Sequence, residues 1–217
     1  MCKRTQERGP EQSEFLKRLR KLKKEDPTIL KTNELDRNGA YWLFRNSPPV
    51  VRADRECSVA ACKKNGMCLG CVTGNLEADK MVVLAAVAHN GLVLQFAAEI
   101  LKSDKEVVLA AVRQNGMALE FTAEILKSDK EVVLAAVRQN GEALQWAADI
   151  MKADKEVVLA TVRHYGLGLQ NAADILKADK EVSLAAVANY GWGLKFASSD
   201  LKSDKEVVMA AVCHLGE

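Results

Sequence analysis

The nineteen residues AEILKSDKEVVLAAVRQNG run from Ala98 to Gly116 and occur again, unchanged, from Ala123 to Gly141. Around this phrase an aspartate recurs every 25 residues from position 54 to 204, and a glycine does the same from position 66 to 216. A fixed period of this length is typical of a solenoid, in which each repeat buries its apolar side chains mainly against its neighbours. The sequence therefore predicts six complete repeats and a terminal half repeat.

Each repeat reads as two short helices. In SDKEVVLAAVRQNG, Asp104 is placed to cap the first helix, and Ser103 and Glu106 have the spacing of a capping box. Asn115 and Gly116 predict its end, with the glycine in the left-handed conformation. The following MALEFTAEILK resumes an apolar pattern for a second helix. The predicted fold is all-α: a right-handed α-solenoid of 25-residue two-helix repeats with an N-terminal helical cap.

The helical pattern also predicts which side chains are buried. Val107, Val108, Ala111 and Val112 share one face of the first helix, so we expect them in the core. The slot held by Ile100, Ile125, Ile150 and Ile175 becomes Asn75 and Asp200 at the ends of the array, so it is expected to be buried between layers. The polar positions of the second helix are expected to face water; these are Glu120, Glu124, Gln145, Asp149, Gln170 and Asp174.

Composition and charge place the basic character of the chain at its N-terminus. With 217 residues, 48% of them apolar, the chain is expected to fold. Residues 1–50 carry 12 Lys and Arg against 7 Asp and Glu, and residues 51–217 carry 19 against 22. No apolar run reaches the roughly 18–20 residues of a membrane span, and residues 1–15 lack the apolar centre of a secretory signal. These features predict a cytoplasmic or nuclear protein.

Three segments follow from these patterns: a flexible N-terminus (1–12), a basic helix with a degenerate cap (13–49) and the repeat array (50–217). FLKRLRKLKK (15–24) has apolar residues on one side of a helix and six basic residues elsewhere. It is interpreted as a cap for the first layer or as a site for an anionic partner such as nucleic acid, an acidic protein or a membrane; the cap is preferred. Residues 26–44 resemble a degenerate repeat that stops at Asn38-Gly39. The candidate anion-binding residues are Lys17, Arg18, Arg20, Lys21, Lys23 and Lys24.

The recurring DKEVVLAAVRQNG, followed by ALEF or ALQWA, resembles a family of short tandem helical repeats known as a domain of unknown function. The resemblance spans residues 51–217 and is weakest in the first repeat, ADRECSVAACKKNGMCLGCVTGNL (53–76). It implies a helical repeat fold and no particular activity, so it assigns no catalytic residue.

The first repeat contains four of the six cysteines, and C-x-x-C at 68–71 raises the possibility of a zinc site. In the repeat register, however, Cys57 and Cys62 correspond to valines, and Cys68 and Cys71 correspond to Ala118 and Phe121. We therefore predict buried structural cysteines, no metal and no cofactor.

The histidines predict no catalytic site. His89, His164 and His214 share one repeat slot, two or three layers apart, which puts the imidazoles roughly 20 Å or more from one another. No Ser-His-Asp arrangement and no phosphate-binding glycine loop is visible, so the protein is predicted not to be an enzyme.

Two functions of different classes remain: a monomeric scaffold that binds another protein, and a nucleic-acid-binding repeat protein aided by the basic helix. The net charge of −3 over residues 51–217 favours the scaffold. Partners are recognised through positions that vary between repeats, with Trp192 as the predicted aromatic anchor. The candidates are Met117, Leu167, Trp192, Arg113, Gln114, Arg138, Gln139, Arg163 and His164. The positions that follow the repeat glycines form an exposed apolar column or pack into the turn; both interpretations stay open.

Overall fold

The computed structural model describes residues 37–215, and the side-chain environments of residues 39–213. All regular structure in this part of the chain is helical, without strands, as the sequence predicts. The basic segment 15–24 lies outside the described residues, as does most of the degenerate repeat predicted before Phe44.

Each repeat has three helical parts. A long α-helix of 8–11 residues comes first, and the long helices are Arg55–Lys64, Lys80–Val87, Lys105–Gln114, Lys130–Gln139, Lys155–Val162, Lys180–Asn189 and Lys205–Leu215. A six-residue 3-10 helix follows, and these are Gly66–Cys71, Gly91–Phe96, Gly116–Phe121, Gly141–Trp146, Gly166–Asn171 and Gly191–Phe196. The repeat ends in a four-residue α-helix, and these short helices are Glu99–Lys102, Glu124–Lys127, Asp149–Lys152, Asp174–Lys177 and Ser199–Lys202. The predicted second helix is therefore built in two pieces, joined by two extended residues.

The N-terminal end of the described chain departs from this pattern. A helix runs from Arg37 to Arg45, so Asn38-Gly39 lies inside a helix and the predicted stop there was wrong. Pro49–Arg52 forms a four-residue helix two repeat lengths before Glu99–Lys102, in the register of the short helices. The first complete repeat has the 3-10 turn Leu76–Ala78 in place of a short helix. The repeat pattern thus extends backwards beyond Asp54.

The described part of the chain divides into two compact units, the first ending at Ala98 and the second beginning at Glu99. In the first, the long helices Arg55–Lys64 and Lys80–Val87 pack together, and so do the 3-10 helices Gly66–Cys71 and Gly91–Phe96. In the second, every long helix packs against the long helix of the next repeat, and successive 3-10 helices do the same. This neighbour-to-neighbour packing is the pattern of a solenoid. Its right-handed sense stays a prediction.

The core is formed by equivalent side chains from successive repeats. Val107, Val108, Ala111 and Val112 are completely buried, as predicted, and Leu119 of the 3-10 helix joins them. The prediction for the isoleucine slot was wrong: the four isoleucines are 67–75% exposed. Because the residue that follows each isoleucine points into the core, the short helix turns the isoleucine outwards. These buried followers are Leu101, Leu126, Met151 and Leu176.

Aspartate caps start the long helices. The side chain of Asp104 accepts hydrogen bonds from the backbone N–H groups of Glu106 and Val107, at 3.0 and 3.2 Å. The capping box predicted for Ser103 does not form, since the Ser103 hydroxyl donates to the carbonyl of Glu99 in the preceding short helix (3.2 Å). Asp104 alone satisfies the two amides, which otherwise have no partner within the helix.

The repeat glycines do not adopt the left-handed conformation that the sequence predicts. Among the described residues only Gly74 and Asn75 have positive φ. The long helix ends instead at an extended asparagine such as Asn115 (φ −151°), whose side chain accepts a hydrogen bond from Met117 N and starts the 3-10 helix. Glycine is required for space: a Cβ at Gly166 would lie 2.5 Å from the carbonyl oxygen of Ala186 in the next repeat.

Candidate functional site

A ladder of ion pairs joins the starts of successive long helices from Lys105 to Glu206. The Nζ of Lys105 lies 2.8 Å from Asp129 Oδ2 and 2.9 Å from Glu131 Oε2, so one lysine binds both the cap and the first-turn glutamate of the following repeat. Lys130, Lys155 and Lys180 repeat this arrangement at 2.7–2.8 Å. The hydrogen bond from Lys105 lowers the pKa of Asp129, and the bonds to Asp129 and Glu131 raise the pKa of Lys105. The Asp-Lys-Glu motif is thus an inter-repeat connector as well as a cap.

A second set of links crosses from each repeat to the next through the backbone. The N–H of Ala123 donates to the carbonyl of Lys102 at 3.0 Å, Ala148 to Lys127 at 3.0 Å, and Ala173 to Lys152 at 2.9 Å. In these three bonds the acceptor is the last residue of a short helix, and the donor precedes the next short helix. The carbonyls left free at the end of a very short helix are thereby satisfied.

The polar pair at the end of the long helix was predicted to contact partners, and one of its positions also connects repeats. The side-chain oxygen of Gln139 accepts a hydrogen bond from the backbone N–H of Gly116 in the preceding repeat. Asn189, in the same slot, accepts from Gly166 N (2.8 Å) and donates to the carbonyl of Arg163 (3.0 Å). Gln139 therefore has a structural contact that the sequence did not reveal.

An open groove of about 480 Å³ lies between the long helices Lys105–Gln114 and Lys130–Gln139. We call it the long-helix groove, and its lining is Arg113, Glu131, Leu134, Ala135, Arg138 and Gln139. Three of these were predicted partner-binding residues. Leu134 and Ala135 are half-buried, and Arg113 and Arg138 are exposed. The groove thus combines apolar floor atoms with two guanidinium groups.

The other predicted contact residues lie elsewhere. Gln114, Arg163 and His164 are exposed at the ends of their long helices but do not line this groove. The column that follows the repeat glycines is divided: Met67, Glu142 and Trp192 are exposed, whereas Leu92, Met117 and Leu167 are half-buried. Trp192, at 58% exposure, is the most accessible large apolar side chain of this column. It stays a candidate anchor, separate from the long-helix groove.

A model for a family described as a domain of unknown function, DUF4116, matches residues 54–102, 79–127, 104–152, 129–177 and 179–214. These matches tile most of the chain, and each begins at one of the repeat aspartates, at steps of 25 residues and one step of 50. The chain belongs to this family. Comparison with curated proteins gave no match, and comparison with solved structures gave none. The DUF4116 assignment confirms the resemblance seen in the sequence and brings no activity with it.

The cysteines of the first DUF4116 repeat are core residues. Cys57, Cys62 and Cys68 are fully buried and Cys71 almost so, which confirms the register argument. Burial, with a smaller contribution from the neighbouring Cys71, raises the pKa of the Cys62 thiol to about 12. A thiol with such a pKa stays protonated near pH 7 and is a poor nucleophile. Within residues 37–215, no group of three or more His, Cys, Asp or Glu side chains is arranged to hold a metal ion.

The histidine slot differs from repeat to repeat. His89 is half-buried, His164 is exposed, and the side chain of His214 lies outside the described residues.

No described helix is long and apolar enough to cross a membrane.

Two surface features of the DUF4116 array were not predicted from the sequence. Leu134 and Ala135 lie on the long helix well away from its valine face, and both are only half-buried. The exposed isoleucines were placed in the core because their replacement by Asn75 and Asp200 resembled the polar ends of a buried stack. The alternating burial of Ile125 and Leu126 in a four-residue helix is a tertiary property that no helical period could reveal.

Proposed function

We propose that this DUF4116 protein is a non-enzymatic scaffold that binds a partner protein through the long-helix groove. The observation that supports this best is the meeting of Arg113, Arg138 and Gln139, from two repeats, around the exposed parts of Leu134 and Ala135. Concave sites with an apolar floor and a few convergent polar groups are typical of ligand recognition.

The charges of the groove indicate the kind of segment it would take. Its one carboxylate, Glu131, is bound to Lys105 at 2.9 Å, so its negative charge is largely compensated. Arg113 and Arg138 then give the groove a net positive character. A peptide with one or two carboxylates beside a small apolar side chain would pair with the guanidinium groups and cover Leu134 and Ala135.

Nucleic-acid binding by the array receives less support. Four lysines of the described repeats each contact two carboxylates of the next repeat, so their charges are already balanced: Lys105, Lys130, Lys155 and Lys180. Phosphate contacts provide much of the affinity of a nucleic-acid-binding protein, and they require available cations. Strong retention of residues 37–217 on heparin would reverse this preference.

A random-peptide display selection against the full chain tests the proposal. We expect enriched peptides to carry Asp or Glu next to a small apolar residue, and Arg138→Glu to weaken their binding at least about tenfold. Lys195→Glu is the matched control, because it makes the same charge reversal at an exposed position outside the groove. Equal loss of binding in both variants, or none in either, would contradict the groove as the site.

A further inference from the structure

The exposed isoleucines form a second surface, which we call the isoleucine row. Its members are Ile100, Ile125, Ile150 and Ile175, which are 72, 75, 67 and 74% exposed. Single exposed apolar residues are ordinary on protein surfaces. Four large apolar residues at equivalent positions of successive repeats are different, because they form a regular set and are not scattered singly over the surface. All four belong to the compact unit 99–217.

The row is continuous because the short helices that carry it are directly linked. Ile100 lies two residues before Lys102, and Ile125 two residues after Ala123, whose N–H donates to the Lys102 carbonyl at 3.0 Å. The equivalent bonds at the next two junctions measure 3.0 and 2.9 Å. Neighbouring isoleucines are thus one repeat apart, and the long helices of successive repeats pack together, which sets a step of about 8–10 Å.

Acidic side chains edge the row along its whole length. An acid immediately precedes each isoleucine, and its side chain is 85% exposed or more; these acids are Glu99, Glu124, Asp149 and Asp174. Each contacts the lysine three residues later, at 2.8, 2.7, 3.5 and 3.1 Å. These lysine side chains are only 14–26% exposed, so the carboxylates reach furthest into solvent.

We propose that the isoleucine row is a docking site for a basic amphipathic helix of a partner protein. A helix rises about 10.5 Å over seven residues, so apolar residues at intervals of seven would meet successive isoleucines. Lysine or arginine beside that stripe would face the acidic edge. The row of a second copy would bring carboxylates against carboxylates, and an anionic lipid surface would repel them, so charge favours the basic helix over both. This proposal is independent of the long-helix groove.

A synthetic peptide with the sequence of residues 13–24, SEFLKRLRKLKK, is a suitable probe. Phe15 and Leu22 are seven residues apart, and six basic residues accompany them. Fluorescence anisotropy of the labelled peptide would measure its binding to the full chain. We expect the double variant Ile125→Ser/Ile150→Ser to bind at least about tenfold more weakly. Because both side chains are exposed, the variant should keep its melting temperature.

Matched controls separate docking on the isoleucine row from simple charge attraction and from binding in the long-helix groove. A peptide with Leu16, Leu19 and Leu22 replaced by serine keeps every positive charge, and it should bind much more weakly. Glu124→Gln/Asp149→Asn should reduce the salt dependence of binding, and Arg138→Glu should leave the affinity unchanged, since it changes only the groove. The proposal is overturned if the serine peptide binds equally well or if the isoleucine variant binds normally. It is also overturned if the wild-type chain is a dimer in light scattering and the isoleucine variant a monomer.

Discussion

At the scale of the residue, the repeat glycines allow a test of why glycine is needed. The structure explains them by the lack of space for a side chain, and not by a left-handed backbone. Gly166→Ala should lower the free energy of unfolding by about 1–3 kcal/mol, because its Cβ would overlap the carbonyl of Ala186 in the next repeat. Urea denaturation followed by circular dichroism measures the loss.

Gly70→Ala is the control for this substitution. Its Cβ would meet the ring of Phe96 at 3.4–3.5 Å, an ordinary contact, and Gly70 does not have a positive φ. We expect a change within about 0.5 kcal/mol. Similar losses in the two variants would argue against close approach as the reason for glycine at position 166.

The buried cysteines give a second prediction at this scale. Native protein treated briefly with iodoacetamide at pH 8 should be alkylated at the exposed Cys213 and not at Cys57, Cys62 or Cys68, whose thiols are buried. Burial holds the pKa of Cys62 near 12 and raises that of Cys68, so neither presents a thiolate at this pH. Peptide mapping by mass spectrometry would distinguish the sites, and labelling in urea supplies the positive control. Rapid native labelling of Cys62 would contradict the buried assignment.

At the scale of the element, the ladder predicts how one helix supports the next. Lys130→Met removes the contacts with Asp154 and Glu156 while keeping most of the side-chain length. We expect a small decrease in the denaturation midpoint at low salt, which disappears in 1 M NaCl because exposed ion pairs are screened.

Lys195→Met is the control for the ladder variant. Lys195 is exposed, and its Nζ lies 5.8 Å from the centroid of the Phe196 ring, so this lysine does not join two long helices. Its midpoint should depend less on salt. A salt-independent loss in Lys130→Met would mean that the aliphatic stem, and not the charge, stabilises the junction.

At the scale of the whole molecule, repetition of the ladder predicts the dependence of stability on pH. Hydrogen bonds from lysine lower the pKa of Asp129 and Asp179, so their contribution is complete above the unfolded value of about 3.9 and is lost as pH falls through the lowered values. The pKa of Lys105 and its equivalents is raised, so their contribution is complete below about 10.4 and is lost as pH rises through the raised values.

Melting temperatures should therefore be level between about pH 5 and 9 and fall on both sides. Circular dichroism melts at constant ionic strength measure this profile. Lys130→Met should show a shallower acid limb than the wild type, since it has one aspartate fewer with a lowered pKa. An acid limb of unchanged steepness would show that other carboxylates control it.

The sequence by itself determined the period, the helical class, the aspartate caps and the buried valine face. Each of these depends on local propensity or on the geometry of one helix. The signal is unambiguous because the aspartate at the Asp104 position recurs in every repeat, and the valine at the Val107 position recurs in all but the first, which has Cys57. The buried cysteines followed from the same register.

Only the tertiary structure decided what lies between the repeats. The partner of Lys105 is 24 residues away, the atom that forbids a side chain at Gly166 belongs to the next repeat, and the exposure of Ile125 depends on how a four-residue helix sits on the core. Contacts between repeats depend on their relative placement, which no periodicity within a single helix encodes. The long-helix groove and the isoleucine row, the two candidate surfaces, both arise from that placement.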